Sequence, residues 1–269
     1  MKLARLADKI AAIAHRDLLT AVRYRNGFLL AIGGATAELA AFYFLARAIG
    51  PSFRPDGMDY FPFVLIGTGF YTFLIAGINS FLHIITDAQQ TGTLEVLMTT
   101  STRPSVLVML SALSAFAGNS VYLLLYLGAG FFLFGAPIHT ANLLGCAIIL
   151  ALSLLIATAL GLLAAALQLE IQKGSALVWL FASGTWFLTG TLFPVNALPA
   201  PLRVVAQLLP LTHSLNGMRL ALLQGANFTT LLPEISALAL FALGLIPFSL
   251  FVFSYSLQRA RLNGTLSFY

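Results

Sequence analysis

The chain has 269 residues, of which 59% are hydrophobic and only 9% are charged, and its formal net charge is +5. A soluble domain carries about 25% charged residues, so this chain has too few of them to cover an apolar core with a water-facing surface. The composition excludes an ordinary soluble domain and predicts an all-α integral membrane protein whose remaining surface contacts lipid.

The N-terminal segment contains six of the fourteen basic residues within its first 25 positions. Apolar side chains recur there at three- to five-residue intervals, and the cations occupy the complementary side. This pattern predicts an amphipathic helix over residues 1–25 that lies in the headgroup plane. An amphipathic helix packed on protein is the alternative. The clustering favours anionic lipid over nucleic acid as the partner of the positive charge.

Six apolar runs are long enough to cross about 30 Å of hydrocarbon, which takes about 20 helical residues. They cover residues 27–49, 61–85, 105–134, 141–169, 174–193 and 235–257. If the N-terminus is cytoplasmic, ten cations lie on the cytoplasmic side and four on the other. The positive-inside bias then predicts that both termini are cytoplasmic. We expect a multi-pass protein of a bacterial-type cytoplasmic (inner) membrane.

The cytoplasmic segment between the second and third spans, residues 87–103, contains a predicted short helix. Gly92 permits a sharp entry, Thr93 caps the helix, and Glu95 lies near its positive end. The apolar side chains that this helix projects are Leu94, Leu97 and Met98. Exposed apolar residues on such a helix indicate a docking surface for another protein, and insertion into the membrane interface is the alternative.

Residues 194–234 do not fit a simple loop, because prolines divide them into short apolar pieces. Pro201 suits the start of a piece over residues 201–209, Pro210 would stop it, and a second piece covers residues 211–224. Nine helical residues reach only about 14 Å, half of a membrane. The pattern predicts a re-entrant helical hairpin on the outer side, with two helices lying flat on the outer surface as the alternative.

The chain carries no motif for hydrolysing ATP. The phosphate-binding pattern G-x-x-x-x-G-K-[ST] is absent, and none of the three lysines follows a glycine. H-E-x-x-H and G-x-S-x-G are also absent, and the four histidines are scattered. The single cysteine, Cys146, can form neither an intramolecular disulfide nor a thiolate cluster. We expect that this chain is no enzyme and binds no metal or cofactor of its own.

Candidate substrate contacts lie in three of the spans. Glu38 is a lone carboxylate halfway along the first span, and it is either a substrate contact, a structural partner of another helix or a hydrogen-bonded acid without a mechanistic role. Tyr43, Tyr71 and Trp186 are candidates for lining the path. Tyrosine and tryptophan also favour membrane interfaces for structural reasons, which is the competing explanation.

The sparsity of charge across the spans bears on the substrate. It argues against a small hydrated molecule and favours an amphiphile such as a lipid-linked glycan, a lipid or a hydrophobic drug. In the hairpin, His213 and Arg219 would meet either lipid phosphates, which we favour, or an anionic leaving substrate.

Three stretches of the sequence resemble the type-2 ATP-binding-cassette (ABC) exporter permeases. Residues 91–97 (TGTLEVL) are similar to the coupling-helix signature of that family, and residues 15–25 (HRDLLTAVRYR) are similar to its interfacial connecting helix. Residues 192–199 (LFPVNALP) and 209–213 (LPLTH) resemble its extracellular hairpin. The resemblance covers essentially the whole chain, in the correct order.

This resemblance implies a half-transporter. Two six-span permease subunits, in our interpretation a homodimer rather than a heterodimer, would enclose a central path above two separate ATPase subunits that bind ATP and Mg. Closure of the ATPases would open the path outward. The implied ATPase-coupling residues are Thr93, Leu94, Glu95, Leu97 and Met98, together with Arg16, Asp17 and Arg23. The implied extracellular gate consists of Pro194, Pro210 and His213.

Two other classes of protein compete with this interpretation. An ATP-independent secondary carrier or channel is disfavoured by the missing internal repeat and the near-absence of midplane charge. A membrane-embedded lipid enzyme would need a nucleophile and base, or a metal cluster, within the spans. His83 is the only histidine at any depth.

Overall fold

The computed structural model describes residues 25–93, 104–136, 141–171 and 174–263, and this part of the chain contains helices and no strand. The α-helices are α1 Arg25–Ile49, α2 Tyr60–Gln90, α3 Pro104–Phe132, α4 Leu143–Ile171, α5 Gly174–Leu188, α6 Ala200–Gln207, α7 Pro210–Leu223 and α8 Phe228–Asn263. Two single 3₁₀ turns, Pro55–Gly57 and Val195–Ala197, precede α2 and α6. The predicted all-α class is therefore confirmed for the described residues.

Four of these helices are long and apolar enough to cross a membrane, namely α1, α2, α4 and α8. The 29 residues of α4 alone reach about 44 Å, which exceeds the hydrocarbon thickness. Two shorter apolar stretches, Phe116–Phe132 in α3 and Ser175–Leu188 in α5, accompany them. The chain is accordingly a multi-pass membrane protein.

Four helix boundaries differ from the predicted spans by five or more residues. Two helices run further than predicted, since α2 continues to Gln90 and α8 to Asn263. The fifth span was expected to reach residue 193, but α5 ends at Leu188, and Gly190 follows with a φ of 77° that closes the helix. The last helix begins at Phe228 instead of residue 235, because the Asn227 carbonyl oxygen accepts the amides of the first turn. The segment between α5 and α8 therefore covers residues 189–227 instead of the predicted 194–234.

Helix α2 is the centre of the bundle. In its most apolar window 83% of the residues are buried, against 6% in α1, and α2 contacts α3, α4, α5 and α7. Glycines permit these close approaches: the ring of Phe116 in α3 covers Gly77 of α2, and the ring of Phe81 in α2 covers Gly161 of α4. Such pairing of a small residue with a large one is how apolar helices gain van der Waals contact within lipid.

Contacts between elements define two ends of the bundle. At the hairpin end, α7 packs on α2 and α4, α6 packs on α5 and α7, and Asn142 Nδ2 donates to the Ala226 carbonyl oxygen at 2.9 Å. At the opposite end, Gln168 Nε2 of α4 donates to Gln89 Oε1 of α2 at 3.2 Å. Arg259 of α8 pairs there with Glu170 of α4, with Nη1 and Oε2 separated by 3.5 Å.

Several predicted features lie outside the described residues. They are the interfacial helix up to residue 24, with Arg16, Asp17 and Arg23, and the coupling segment from residue 94 to 103, with Leu94, Glu95, Leu97 and Met98. Thr93 is described and exposed, and its hydroxyl lies 2.8 Å from that of Thr91 at the end of α2.

Candidate substrate groove and hairpin anchor

A groove of about 550 Å³ lies between α2 and α5, and we call it the aromatic groove. Its volume falls in the range of pockets that hold drug-sized molecules. Its lining residues are Tyr71, Ile75, Asn79, Leu82 and His83 of α2 with Ser175, Trp179, Ala182, Ser183, Trp186 and Phe187 of α5. The two helices thus present aromatic rings and small polar side chains to the same space.

Tyr71 acts as a strut between the two helices. Its hydroxyl donates to the carbonyl oxygen of Ala182 at 2.5 Å and lies 2.7 Å from the hydroxyl oxygen of Thr185. The side chains of Tyr71 and Thr185 are buried. The structure therefore places Tyr71 at the groove as predicted, but its hydroxyl is already engaged, and only its ring remains available to a ligand.

The other groove residues have aromatic rings and polar groups that are available to a ligand. Trp186 contacts Phe187 edge to face, with ring centroids 5.0 Å apart, and Trp179 is 70% exposed. The polar side chains Asn79, His83, Ser175 and Ser183 make no hydrogen bond within the described part of the chain. Rings beside free donors and acceptors suit a molecule that is apolar on one side and polar on the other.

The remaining two path candidates lie elsewhere. Tyr43 is near the hairpin end of α1, where its ring centroid is 5.6 Å from that of Phe61. Glu38 is exposed on α1, whose main contacts within the described residues are with α2 and α3. The structure thus brings Tyr71 and Trp186 together, and it places Glu38 and Tyr43 at α1, away from the aromatic groove.

Arg219 of α7 is the largest fully buried side chain among the described residues, with 1% exposure. Its Nε donates to the carbonyl oxygen of Phe63 in α2 at 3.0 Å. Its Nη1 and Nη2 donate to the carbonyl oxygens of Gly190 and Thr191, just after α5, each at 2.9 Å. A planar guanidinium directs several donors at once, so a single side chain joins α7 to α2 and to the turn after α5.

The room for this arginine depends on Gly67 of α2. A methyl group there would collide with Arg219 Nη2 and with the Thr191 carbonyl oxygen. The expectation that Arg219 meets lipid phosphates or an anionic substrate is wrong, because the side chain is enclosed. Sequence reasoning missed this anchor, although one signal was present: Arg219 occupies the same helical face as the apolar Leu215 and Leu222.

His213, one turn and a half before Arg219, links α7 to α8. Its Nδ1 lies 2.5 Å from Glu234 Oε2, and its Nε2 donates to the Gln207 carbonyl oxygen at 2.9 Å. The hydrogen bond that His213 donates to the Glu234 carboxylate raises the pKa of His213 above its ordinary value, partial burial opposes that effect, and the Gln207 carbonyl reinforces it. Since a carbonyl only accepts, Nε2 carries a proton, and His213 and Glu234 share a second one when the imidazole is charged.

The two predicted gate prolines occupy the starts of helical turns. Pro194 precedes the 3₁₀ turn Val195–Ala197, and Pro210 is the first residue of α7. Pro210 thus opens α7, a position where its missing amide hydrogen costs nothing. The predicted pieces 201–209 and 211–224 correspond to α6 and α7 within one or two residues at each end.

The described residues include no group of three or more His, Cys, Asp or Glu side chains arranged to hold a metal ion. Comparison with known proteins adds a family assignment: a family model described as ABC-2 type transporter matches residues 9–223, from the N-terminal segment to the last residue of α7. Among curated proteins, no match to the chain was found.

Proposed function

Because the chain belongs to the ABC-2 type transporter family, we propose that it is the membrane permease subunit of an ATP-driven exporter of amphipathic molecules. Permeases of this family generally work with a separate ATPase subunit. In this proposal ATP and Mg bind to that partner, and the permease chain itself hydrolyses nothing. The aromatic groove is the observation that carries the choice of an amphipathic substrate.

We further propose six membrane spans, with α3 and α5 joining the four long apolar helices. The segment from α6 to α7 is then a re-entrant hairpin. Helix α6 has 8 residues and α7 has 14, so they reach about 12 Å and 21 Å and neither crosses the hydrocarbon. Leu211, Leu215 and Ala221 of α7 are at most 1% exposed, which favours a hairpin inserted among the spans over one lying flat on the surface.

In this topology both termini are cytoplasmic and the hairpin end faces outward. The cation distribution supports it, since Arg47, Arg54, Arg203 and Arg219 at the hairpin end are outnumbered by the ten cations assigned to the opposite side. The membrane would then be a bacterial-type cytoplasmic membrane. The gate role of Pro194, Pro210 and His213 follows from their place in this outer hairpin.

The substrate path requires a second subunit. The groove face of α5 leaves Trp179 and Phe187 exposed, and a single chain does not enclose the space between α2 and α5. A second copy of the chain, facing the first across α5, would close this space into a path. An amphiphile would place its apolar part on Trp179, Trp186 and Phe187 and its polar part on the free side chains beside them.

Coupling to the ATPase is assigned to Thr93, Leu94, Glu95, Leu97 and Met98, with Arg16, Asp17 and Arg23 adding contacts. The test is co-purification of the full chain with a candidate ATPase subunit, followed by an ATPase assay in lipid. A Leu94→Asp, Leu97→Asp double variant is compared with wild type. Leu262→Asp is the matched control, because Leu262 is an exposed leucine at the same end of the bundle.

The expected result is that wild type and the Leu262→Asp control bind the ATPase, whereas the folded double variant loses it. Equal binding by the double variant would move the docking site elsewhere. If no ATPase binds the wild-type chain but the chain alone moves substrate in vesicles, the function is that of an ATP-independent carrier or channel.

A further inference from the structure

A second cavity, of about 470 Å³, lies at the hairpin end of α1, α2 and α3, and we call it the arginine cup. Its walls are the last turns of α1, the loop that follows it, the start of α2 and the residues that follow α3. Its defining residues are Arg47, Arg54, Asp59, Tyr43, Phe61 and Phe134. The cup shares no lining residue with the aromatic groove, so it is a separate site.

The floor of the cup is a cluster of three aromatic rings. The Tyr43 centroid lies 5.6 Å from that of Phe61 and 5.4 Å from that of Phe134, and the last two are 5.9 Å apart. The guanidinium carbon of Arg47 lies 5.8 Å from the Tyr43 centroid. An apolar, rigid floor thus carries a cation at its edge.

The described residues place four arginines at the hairpin end of the bundle, and two of them are held by backbone carbonyl oxygens. Arg203 and Arg219 donate to carbonyl oxygens in the segment between α5 and α6. Arg54 and Arg47 both line the cup. Arg54 Nε lies 3.1 Å from Asp59 Oδ1, so its charge is partly balanced.

Arg47 is the fourth arginine at the hairpin end, and its charge is not balanced by a described residue. It has neither a carboxylate nor a hydrogen-bond acceptor among the described residues, and its stacking on Tyr43 is its one described interaction. Arg47, Arg54 and Asp59 together give the cup a formal charge of +1. The N-terminus of α2, which opens at Tyr60 on the cup wall, adds a partial positive charge.

The depth of the cup in the membrane follows from its walls. It lies where α1 ends and α2 begins, and both are helices that can span a membrane, so it sits at the level of the lipid headgroups. Phosphate groups are concentrated at that level, and a guanidinium binds phosphate through paired, charge-assisted hydrogen bonds.

We propose that the arginine cup binds a phosphate ester, with the phosphate between Arg47 and Arg54 and the adjoining carbon skeleton on the Tyr43, Phe61 and Phe134 rings. The aromatic floor indicates that the phosphate is attached to a lipid, as in a phospholipid headgroup. This binding requires neither an ATPase nor transport, so the proposal stands or fails independently of the exporter assignment.

The test uses the full chain purified in a neutral detergent, titrated with phosphatidylglycerol and followed by native mass spectrometry. Two further probes distinguish recognition of the phosphate from recognition of the lipid chains. A diacylglycerol with an uncharged sugar headgroup lacks the phosphate, and glycerol 3-phosphate lacks the lipid chains. The variants are Arg47→Gln and Arg54→Gln. Arg259→Gln is the matched control, because Arg259 is a half-exposed arginine at the opposite end. Thermal unfolding verifies that each variant is folded.

We expect phosphatidylglycerol to bind wild type and the control alike, and about tenfold more weakly to Arg47→Gln, the size of one lost charge-assisted hydrogen bond. Arg54→Gln weakens binding in the same direction. Competition by glycerol 3-phosphate at similar concentrations would support phosphate recognition and assign a soluble ester, whereas no competition assigns the lipid. Equal binding of the uncharged lipid, or unchanged binding to both cup variants, overturns the proposal.

Discussion

The guanidinium carbon of Arg219 lies 3.6 Å from the centroid of the Phe63 ring, and Nε of the same arginine donates to the Phe63 carbonyl oxygen at 3.0 Å. Phe63 of α2 therefore contacts the buried guanidinium through both its ring and its backbone carbonyl. The two remaining carbonyl contacts, at Gly190 and Thr191, come from the turn after α5. Any outward movement of the hairpin relative to α2 and α5 has to break this arrangement.

Replacing Arg219 with lysine should destabilise the chain strongly. An ammonium group cannot reach three carbonyl oxygens in one plane, so buried acceptors lose their partners, at a cost of about 3 kcal/mol. The midpoint of thermal unfolding in detergent measures the effect. Arg259→Lys is the control, since that arginine is 56% exposed and should change little. A wild-type midpoint for Arg219→Lys would show that the anchor contributes no stability.

Gly67→Ala should disturb the same contacts of Arg219 by filling the space that the arginine occupies beside α2. The added methyl group would collide with Arg219 Nη2 and with the Thr191 backbone, so either the arginine or the turn after α5 must shift. Overpacking of this kind costs about 1 to 3 kcal/mol. Gly244→Ala in α8 is the matched control, because nothing lies within 4 Å of a methyl group there. The alanine at position 244 should be neutral or slightly stabilising, and equal midpoints for both variants would contradict the close approach at Gly67.

The His213–Glu234 pair predicts a stability that depends on pH. The pKa of His213 is raised in the folded chain, mainly by its hydrogen bond to Glu234. The stabilisation is then fully present below the unfolded value of about 6.5 and is lost as the pH rises through the higher folded value. Wild type should exceed His213→Gln in unfolding midpoint at pH 6, and the gap should narrow at pH 9.

The control for this pH dependence is His83→Gln, because His83 is exposed and has no hydrogen-bond partner among the described residues. Its midpoint should follow that of wild type at both pH values. A gap between wild type and His213→Gln that widens towards pH 9 would mean that the neutral imidazole is the stabilising form.

Tyr71→Phe distinguishes the role of the hydroxyl, which joins α2 to α5, from the role of the ring, which lines the aromatic groove. The substitution keeps the ring but removes the hydroxyl that bonds to the Ala182 carbonyl oxygen and to Thr185, which should cost about 1 kcal/mol of stability. Thermal unfolding provides the measurement, with Tyr255→Phe as the control because Tyr255 is exposed on α8. If both variants unfold like wild type, the hydroxyl does not hold α5 to α2.

Trp186→Ala tests the aromatic groove as the substrate path. Loss of a large ring from the groove should reduce substrate-stimulated ATPase activity of the assembled transporter about tenfold, while basal ATPase activity is retained. Phe251→Ala is the control, since Phe251 is an exposed ring on α8 outside the groove. Equal substrate-stimulated ATPase activity in the two variants would show that Trp186 does not line the substrate path.

The described helices were largely predictable from the sequence. The first predicted span, residues 27–49, corresponds to α1 within two residues, and the fourth, residues 141–169, corresponds to α4 equally well. The errors fall where local signals outweigh hydropathy. Gly190 closes α5 within an apolar run, and α8 begins seven residues before its predicted span and continues through Pro233.

The candidate site was only partly predictable. Tyr71 and Trp186 were identified because aromatic residues stand out in an apolar sequence, and the structure places both at the aromatic groove. Tyr43 carried the same signal, yet it lies in the arginine cup. Arg219 was assigned to the lipid surface because a lone arginine in a hairpin usually faces water or phosphate. Its three carbonyl acceptors come from residues far away in the sequence.

The sequence by itself determined which segments become apolar helices, because lipid imposes a local requirement: each crossing needs enough consecutive apolar residues, and its backbone must satisfy its own hydrogen bonds. Only the tertiary structure decided which neighbour each side chain meets. A span that is apolar all round carries no periodic signal for its buried face, so the faces on which Tyr71 and Tyr43 lie were set by helix packing.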